Sequence, residues 1–224
     1  IVKHAYESTS FYHQRFDAAK IKPDDIKSVE DMRKIPILTK LEVQKNFNSL
    51  IAKGIDIERC TKVETSGSTG IPLTIIAERK ASYMLAANGL RHLVENGHKL
   101  FRDKYVHLSR RLPDKRTRIG SFLTHLGIFR RVIMCTRDPI GDLVNELINF
   151  RPDVIEGSPS FFLPLVRELE KMGDMIHPRL VFSDGELLDD RSRKLIDSMF
   201  GTEMLDIYGC MEAGDIAWEC SEHA

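Results

Sequence analysis

Apolar residues recur along the chain in short runs that are separated by helix-like stretches. The runs are rich in β-branched and aromatic residues and begin 22 to 27 residues apart. Strand–helix alternation at this spacing is what right-handed crossovers between parallel strands require. We therefore predict an α/β fold with a largely parallel sheet flanked by helices. The predicted strands are Tyr105–Leu108, Val132–Met134, Val154–Ile155, Leu180–Phe182 and Met204–Ile207.

Helix boundaries can be read between these runs. Asp138–Pro139 and Ser158–Pro159 each offer an N-cap residue followed by proline, which favours the first helical position. Asp189 or Asp190 can cap a third helix, which Gly201 would end. These signals place one helix after each of three predicted strands.

The first 60 residues are polar and helical in pattern. Thr39 and Glu42 have the spacing of a capping box, and Ile35–Pro36 is a plausible stop for a helix that begins at Ser28. The pattern changes to strand, loop, strand after residue 61. We predict an N-terminal helical layer at residues 1–60 and an α/β nucleotide-binding core at residues 61–224.

The composition excludes several classes of protein. Of the 224 residues, 42% are hydrophobic and 29% charged, which is ordinary for a globular chain. The 33 basic and 33 acidic residues balance, so neither nucleic acid nor a membrane surface is an expected partner. Apolar runs fall far short of the roughly 20 residues that a bilayer requires. Four scattered cysteines and the absence of a leader pattern favour the cytoplasm. A start at Ile1 suggests a piece of a longer protein.

The segment Thr65–Pro72 is unusually rich in hydroxyls and glycines. Its sequence, T-S-G-S-T-G-I-P, allows consecutive backbone amides to turn towards an anion while the hydroxyls add uncharged donors. It lacks the G-x-x-x-x-G-K-[ST] pattern, and a strand rather than a helix follows it. The segment indicates either a cradle for a triphosphate or a plain exposed turn.

T-S-G-S-T-G-x-P resembles the phosphate loop of the acyl-adenylate-forming ligases. Two later segments fit that superfamily in the correct order. Ser183–Glu186 resembles its short adenine-side loop, and Asp206–Glu212 resembles its Y-G-x-T-E motif. Met211 stands where the family usually has threonine, so a hydroxyl contact near the α-phosphate would be absent.

Narrower features resemble one branch of the superfamily. Ile35–Lys40, Arg151–Ser160 and Ala217–Cys220 with His223 are similar to segments of phenylacetate–CoA ligases and the related coenzyme F390 synthetase (CapK-like) group. Ser158 departs from the aromatic residue usual in that group. The resemblance covers essentially the whole chain but only the front half of such a ligase, so the C-terminal domain would be absent.

The resemblance implies contacts to both ends of ATP. It assigns Gly185 and Glu186 to the adenine side and the ring of Tyr208 to stacking on adenine, with Gly209 beside it. Without the motif, Tyr208 could equally be a core tyrosine, and Ser183–Glu186 an ordinary turn. The residues assigned to the β- and γ-phosphates are Ser66, Gly67, Ser68, Thr69 and Gly70.

The resemblance also implies catalytic and metal-binding residues. Thr69 and Glu212 would be catalytic, with Glu212 binding Mg²⁺, a hard cation that prefers carboxylate oxygen. Outside the motif, Glu212 would be an ordinary solvated carboxylate. Cys220 and His223 have half the spacing of a zinc site, so a structural zinc and a plain loop both stay open.

The implied reaction is ATP-dependent activation of a carboxylic acid, of aryl type, to an acyl-adenylate, followed by thioester formation with CoA. The small-molecule partners would be the acid, ATP and CoA. One alternative is a coenzyme F390 synthetase-like adenylylation of a deazaflavin, and another is a non-catalytic nucleotide-binding fragment. The family's ribose-binding Asp and catalytic Lys come from later regions. We therefore expect little or no activity from these 224 residues alone.

Overall fold

The computed structural model describes residues 1–65, 72–110 and 130–222. It divides into two compact units, Ile1–Tyr83 and Met84–Ala224. The units are described in turn below. The division at residue 60 that the sequence suggests stays a prediction.

The first unit opens with short helices. The predicted capping box is present: the Thr39 hydroxyl accepts from the Glu42 amide at 3.3 Å, and the Glu42 carboxylate accepts from the Thr39 amide at 2.8 Å. The helix predicted after Ser28 is only a short 3-10 helix. The helices are α1 (Val2–Ser8), α2 (Ser10–Ala18), α3 (Lys40–Lys45) and α4 (Phe47–Leu50), with 3-10 helices at Pro23–Asp25, Glu30–Lys34 and Ile57–Arg59.

A β-hairpin follows in the same unit. Strands β1 (Thr61–Glu64) and β2 (Thr74–Ala77) pair antiparallel, with Thr61 opposite Ala77 and Glu64 opposite Thr74. The two strands that the sequence predicts on either side of the hydroxyl-rich segment are thus present.

Alanine, methionine and leucine recur at helical spacing from Arg79 to Asn96, which predicts one long helix that Gly97 would end, but this segment forms two helices. α5 spans Arg79–Asn88 and α6 spans Arg91–Glu95, with Gly89 between them. Glycine disfavours a helix interior because it loses the most backbone freedom on folding, which accounts for a break at this position. Gly97 adopts a φ of +81° beyond the end of α6.

A six-stranded sheet forms the centre of the second unit. Its strand order is β4-β3-β5-β6-β7-β8, and every pairing is parallel except that of β7 with β8. The predicted largely parallel sheet is thus confirmed. The strands are β3 (Tyr105–Ser109), β4 (Arg131–Cys135), β5 (Val154–Gly157), β6 (Leu180–Ser183), β7 (Met204–Cys210) and β8 (Gly214–Trp218).

Both faces of this sheet are buried. Alternate strand residues such as Val106, Ile155 and Val181 belong to one core cluster with residues of three helices. The opposite residues, among them Tyr105 and Phe182, form a second cluster with Leu93 of α6. Burial on both faces is why the strands read as continuous apolar runs. The three helices are α7 (Ile140–Phe150), α8 (Pro159–Met172) and α9 (Asp190–Phe200).

The ends of these helices agree with the sequence at two of three starts. Asp189 caps α9 by accepting from the amides of Arg191 and Ser192, and Gly201 ends it at a φ of +65°. Pro159 is the first residue of α8, as predicted. The third start is wrong by one position, because Pro139 is itself the N-cap of α7 and Asp138 lies outside.

In the parts of the chain that the structure describes, no helix has the length and apolar character needed to cross a membrane.

Candidate nucleotide-binding site

Two of the three predicted motif segments lie side by side at one edge of the sheet. β6 and β7 are parallel neighbours, and Ser183 pairs with Asp206. Gly185 and Tyr208 each follow two residues beyond that pair, so they project from the carboxyl ends of adjacent strands. In open parallel sheets this edge is where ligands bind.

The loop after β6 is fixed by its own side chain. The Glu186 carboxylate accepts from the Ser160 amide at 3.1 Å and from the Ser160 hydroxyl at 2.9 Å, at the start of α8. Gly185 has a φ of +71°, where a side chain would be strained, and an added Cβ would lie 3.4 Å from the Ser158 hydroxyl. Glu186 therefore anchors this loop to α8, a role that sequence reasoning missed.

Tyr208 lies on the exposed part of β7. Its side chain is 69% exposed, which rules out the core tyrosine left open above. The strand continues beyond the apolar run that predicted it and ends at Cys210, with a register shift between Tyr208 and Gly209. A Cβ on Gly209 would lie only 2.8 Å from the carbonyl oxygen of Gly214. Gly209 thus permits the close approach of β8 next to the tyrosine.

Glu212 lies in the turn between β7 and β8. Its side chain is exposed, as is that of Met211 beside it. An exposed carboxylate near the tyrosine could bind a hydrated cation without the cost of burying a charge. Cys220, in the next segment of chain, is exposed after β8, and His223 lies outside the described residues.

The phosphate-loop residues Ser66, Gly67, Ser68, Thr69 and Gly70 lie outside the described residues, so their predicted roles stay predictions. The stem of that loop is described. The Thr65 amide donates to the Leu73 carbonyl at 2.9 Å, and the Leu73 amide donates to the Thr65 hydroxyl at 2.9 Å. The segment Thr65–Pro72 has four hydroxyl side chains, and that of Thr65 closes the stem instead of facing a ligand.

A buried polar network beneath this edge was missed by sequence reasoning. His92 of α6 is 2% exposed and Glu156 of β5 is 8% exposed. The Nε2 of His92 lies 3.2 Å from Glu156 Oε2, and its Nδ1 lies 3.1 Å from Asp215 Oδ2 on β8. The Tyr105 hydroxyl donates to the same Glu156 oxygen at 2.6 Å. A carboxylate within a strand of four buried residues was the signal that a partner must exist.

The charges of this network stabilise one another. Burial opposes a charge on His92, but its hydrogen bonds to Asp215 and Glu156 outweigh that penalty and raise its pKa to about 9. Burial would raise the pKa of Glu156, but the hydrogen bond to His92 and the nearby histidine charges lower it. Burial, and then the Glu156 charge, hold the pKa of Tyr105 well above its ordinary value. Near neutral pH these shifts favour the imidazolium form of His92, the ionised form of Glu156 and the neutral phenol of Tyr105.

Two further groups extend the network towards the sheet edge. Ligand-type atoms of His107, Glu156 and Asp184 all lie within 4.8 Å of one another. Burial, followed by the charges of Glu156 and Asp215, raises the pKa of Asp184 to about 7, while burial lowers the pKa of His107. These donors could in principle hold a metal ion. The Oε2 atom of Glu156 already accepts from Tyr105 and contacts His92, so this carboxylate belongs to the hydrogen-bonded network.

The sequence is similar to proteins of known activity. No protein-family model matches the sequence. The chain is 29% identical over 231 residues to the phenylacetate-coenzyme A ligase of Escherichia coli (strain K12), covering 99% of this chain and 52% of that protein. The chain is also 29% identical over 231 residues to the phenylacetate-coenzyme A ligase of Pseudomonas putida, covering 99% of this chain and 51% of that protein. The chain resembles the phenylacetate–CoA ligases. It spans about half the length of these curated relatives.

A solved structure shares the fold of this chain. A 2-hydroxyisobutyryl-CoA ligase, solved in complex with 2-HIB-AMP and CoA in its thioesterification state, matches 99% of this chain and 50% of its own. The TM-score is 0.76 at 17% sequence identity, which shows a shared fold. The predicted likeness to adenylate-forming ligases of the phenylacetate–CoA ligase type is confirmed.

Proposed function

We propose that this chain is the ATP-binding part of an AMP-forming acid–CoA ligase. The observation that carries the proposal is the likeness to phenylacetate–CoA ligases over 99% of the chain. The placement of two motif segments at the carboxyl ends of β6 and β7 supports it. The proposed partners are a carboxylic acid of aryl type, ATP and CoA, and the proposed location is the cytoplasm.

In this proposal the adenine ring lies between β7 and the loop after β6. The Tyr208 ring stacks on one face of the base, since a flat, exposed ring binds a base at little cost in conformational entropy. Gly185 and Gly209 allow backbone to approach the nucleotide closely, and Glu186 keeps the loop in place through Ser160.

The phosphates would be bound by residues of the hydroxyl-rich segment, with a magnesium ion supplying charge neutralisation. Residues 66 to 70 would supply amide and hydroxyl donors to the β- and γ-phosphates. Thr69 is the member of this group with a proposed catalytic role. Glu212, exposed on the turn after β7, would bind Mg²⁺, which neutralises developing charge on the phosphate oxygens. Cys220 and His223 would supply two of the four ligands that a structural zinc needs.

The chemistry has two steps. In the first, the acid's carboxylate oxygen attacks the α-phosphorus of ATP, and pyrophosphate leaves as the acyl-adenylate forms. In the second, the thiol of CoA attacks the acyl carbon and AMP leaves. The residues of this chain contribute by binding and orienting the nucleotide, because positioning and electrostatics supply most of the catalysis in phosphoryl transfer.

The test is acid-dependent exchange of labelled pyrophosphate into ATP, measured with the intact gene product. A panel of aryl, aliphatic and amino acids identifies the substrate, and CoA-dependent release of AMP then tests the second step. We expect an aryl acid to drive exchange, and Glu212→Gln to reduce it at least 10-fold. Glu222→Gln, a change at another exposed carboxylate, is the matched control.

Two other outcomes would overturn the proposal. Exchange that depends on a deazaflavin instead of any carboxylic acid would indicate the coenzyme F390 synthetase-like reaction. Tight ATP binding without exchange, for every acid in the panel, would indicate a non-catalytic nucleotide-binding protein.

A further inference from the structure

Three side chains of the α5–α6 segment hold strand β8. Asn88 donates to the Asp215 carbonyl at 2.6 Å, His92 contacts the Asp215 carboxylate at 3.1 Å, and Asn96 donates to the Glu219 carbonyl at 3.3 Å. The three are four residues apart along the chain, so they face one side of the helical segment. β8 is the partner strand of β7, which carries the tyrosine and the turn of the proposed nucleotide site.

The middle contact of the three requires a charged side chain. Both ring nitrogens of His92 face carboxylate oxygens, Nδ1 towards Asp215 and Nε2 towards Glu156. A neutral imidazole has a single N–H and can donate to only one of them. An ionised carboxylate has no proton to donate in return. With carboxylate oxygens as the acceptors on both sides, both bonds are made only when His92 is an imidazolium.

The His92 ring is buried among aromatic side chains and other titratable groups. His92 is 2% exposed, and its ring packs edge-on to Phe182 at 4.9 Å between centroids and near Trp218 at 6.3 Å. The titratable groups that interact with it directly or through Glu156 come from five segments: Glu156 of β5, Asp215 of β8, Tyr105 and His107 of β3, Asp184 after β6, and His98 after α6.

We propose that the His92 imidazolium is a positioning residue for ATP, acting through Asp215 to hold the β7–β8 hairpin in its nucleotide-binding arrangement. The inference rests on the proposed function, because it takes ATP to be the ligand that Tyr208 and Glu212 meet. His92 is buried beneath the hairpin and would not itself touch the nucleotide. Its effect is on the affinity for ATP and not on the chemistry.

The consequence is a pH dependence of ATP binding. The pKa of His92 is about 9 in the folded chain. Above that pH the ring loses one donor, Asp215 or Glu156 faces a lone pair, and the contact that orders β8 weakens. The KM for ATP should then rise about 10-fold between pH 7.5 and pH 10, while kcat changes less than the KM.

The first experiment measures the protonation of His92 without relying on activity. In the intact gene product with ¹⁵N-labelled histidine rings, the His92 signals are assigned by their loss in His92→Gln. We expect both ring nitrogens to be protonated at pH 7.5 and to titrate with a midpoint near pH 9. A neutral single tautomer at pH 7.5 would overturn the inference.

The second experiment compares kinetics in His92→Gln and His98→Gln. Glutamine at position 92 can hydrogen bond but carries no charge, so this variant should show the high KM for ATP at every pH from 7.5 to 10. His98, also buried but hydrogen-bonded to Asp103, is the matched control and should keep the pH profile of the unmodified protein. An unmodified protein whose KM is constant across this range contradicts the proposal, as does the same profile in both variants.

The two experiments separate failure of this inference from failure of the proposed function. If no acid supports pyrophosphate exchange, the ligase proposal fails, and equilibrium binding of ATP replaces the KM in the same comparison. A protein that performs exchange but has a neutral His92 at pH 7.5 keeps the ligase proposal and rejects the positioning role.

Discussion

Tyr208 and Tyr83 present rings of nearly equal exposure, 69% and 68%, and Tyr208 lies on β7, next to β6, whereas Tyr83 lies on α5. If the Tyr208 ring stacks on adenine, Tyr208→Ala should raise the KM for ATP by about 10-fold or more, since stacking on a base is worth about 1–3 kcal/mol. Tyr83→Ala should leave it unchanged. Pyrophosphate exchange at varied ATP concentration measures both, and equal effects would argue against stacking.

Gly209 is required by a close contact between strands. An added Cβ would meet the Gly214 carbonyl oxygen at 2.8 Å, a backbone atom that cannot turn aside. Gly209→Ala should therefore lower the free energy of unfolding by about 1–3 kcal/mol and weaken ATP binding. Gly141→Ala, on α7 with nothing within 4 Å of the new Cβ, should instead leave stability unchanged or raise it by up to about 1 kcal/mol. Denaturant unfolding measures both changes.

Asp184 makes stability depend on pH. Burial and the charges of Glu156 and Asp215 raise its pKa from 3.8 to about 7, so the folded chain retains a proton that the unfolded chain releases. This group therefore favours folding below about pH 4, and its contribution is lost as the pH rises to 7. Asp184→Asn removes the loss and should stabilise the protein at pH 8 by on the order of 2 kcal/mol.

The stability of Asp184→Asn relative to its parent, measured at several pH values, tests this expectation. The advantage of Asp184→Asn should shrink as the pH falls towards 4. Asp174→Asn, an exposed change in the loop after α8, should alter stability by less than about 0.5 kcal/mol throughout. An Asp184→Asn protein that is no more stable than its parent at pH 8 would show that the charges do not conflict.

The residue scale also shows where sequence reasoning ends. Glu156 and His92 are 64 positions apart, and although Glu156 lies in the segment Arg151–Ser160, no local pattern pairs it with His92. The sequence shows that a carboxylate in an apolar strand needs a partner but does not identify it. Tyr208 and Glu212 were singled out because they lie in one short, recognisable motif, and their roles stay predictions.

At the scale of elements, the α5–α6 segment contacts β8 through Asn88 and His92. Removing the Asn88 amide leaves the Asp215 carbonyl without this donor, so Asn88→Ala should lower the free energy of unfolding by about 1–2 kcal/mol. The amides of β8 should also exchange faster with solvent than those of β6. Asn145→Ala, exposed on α7, should change stability by less than about 0.5 kcal/mol, and hydrogen exchange should be unaltered in β8. Uniformly faster exchange across the sheet in Asn88→Ala would contradict a local role.

Strands buried on both faces could be predicted, whereas β8, one of the two edge strands of the sheet, could not. β3, β5 and β6 are apolar runs because helices or other side chains cover both faces. β8, with the sequence G-D-I-A-W, is half-exposed and has no such run, and its residues are fixed by distant partners such as Glu95, which accepts from the Trp218 ring nitrogen at 3.1 Å. The break between α5 and α6 was missed because the apolar spacing continues across Gly89.

At the scale of the whole molecule, the order of the motifs was more informative than any one of them. Each is a common turn when taken alone. A parallel sheet brings successive strand ends to one edge, so motifs that follow β6 and β7 in the chain become neighbours in space. The same argument cannot supply the identity of the acid, because a binding pocket is formed by side chains dispersed along the chain.

The relatives are about twice as long as this chain, which leads to the last prediction. The 224 residues contain the predicted contacts to adenine and phosphates, but family resemblance assigns the ribose-binding Asp and the Lys at the reacting carboxylate to later regions. We therefore expect this chain alone to bind Mg·ATP weakly and to catalyse no acid-dependent pyrophosphate exchange. Calorimetry and the exchange assay measure the two properties separately.

The comparison that decides this point uses the same acid panel on three proteins: this chain, the intact gene product and the E. coli phenylacetate-coenzyme A ligase as a positive control. Exchange by the intact product and binding alone by the 224 residues would assign nucleotide recognition to this part and the reaction to the whole. Full exchange by the 224 residues would mean that a carboxylate can be oriented without the later Lys.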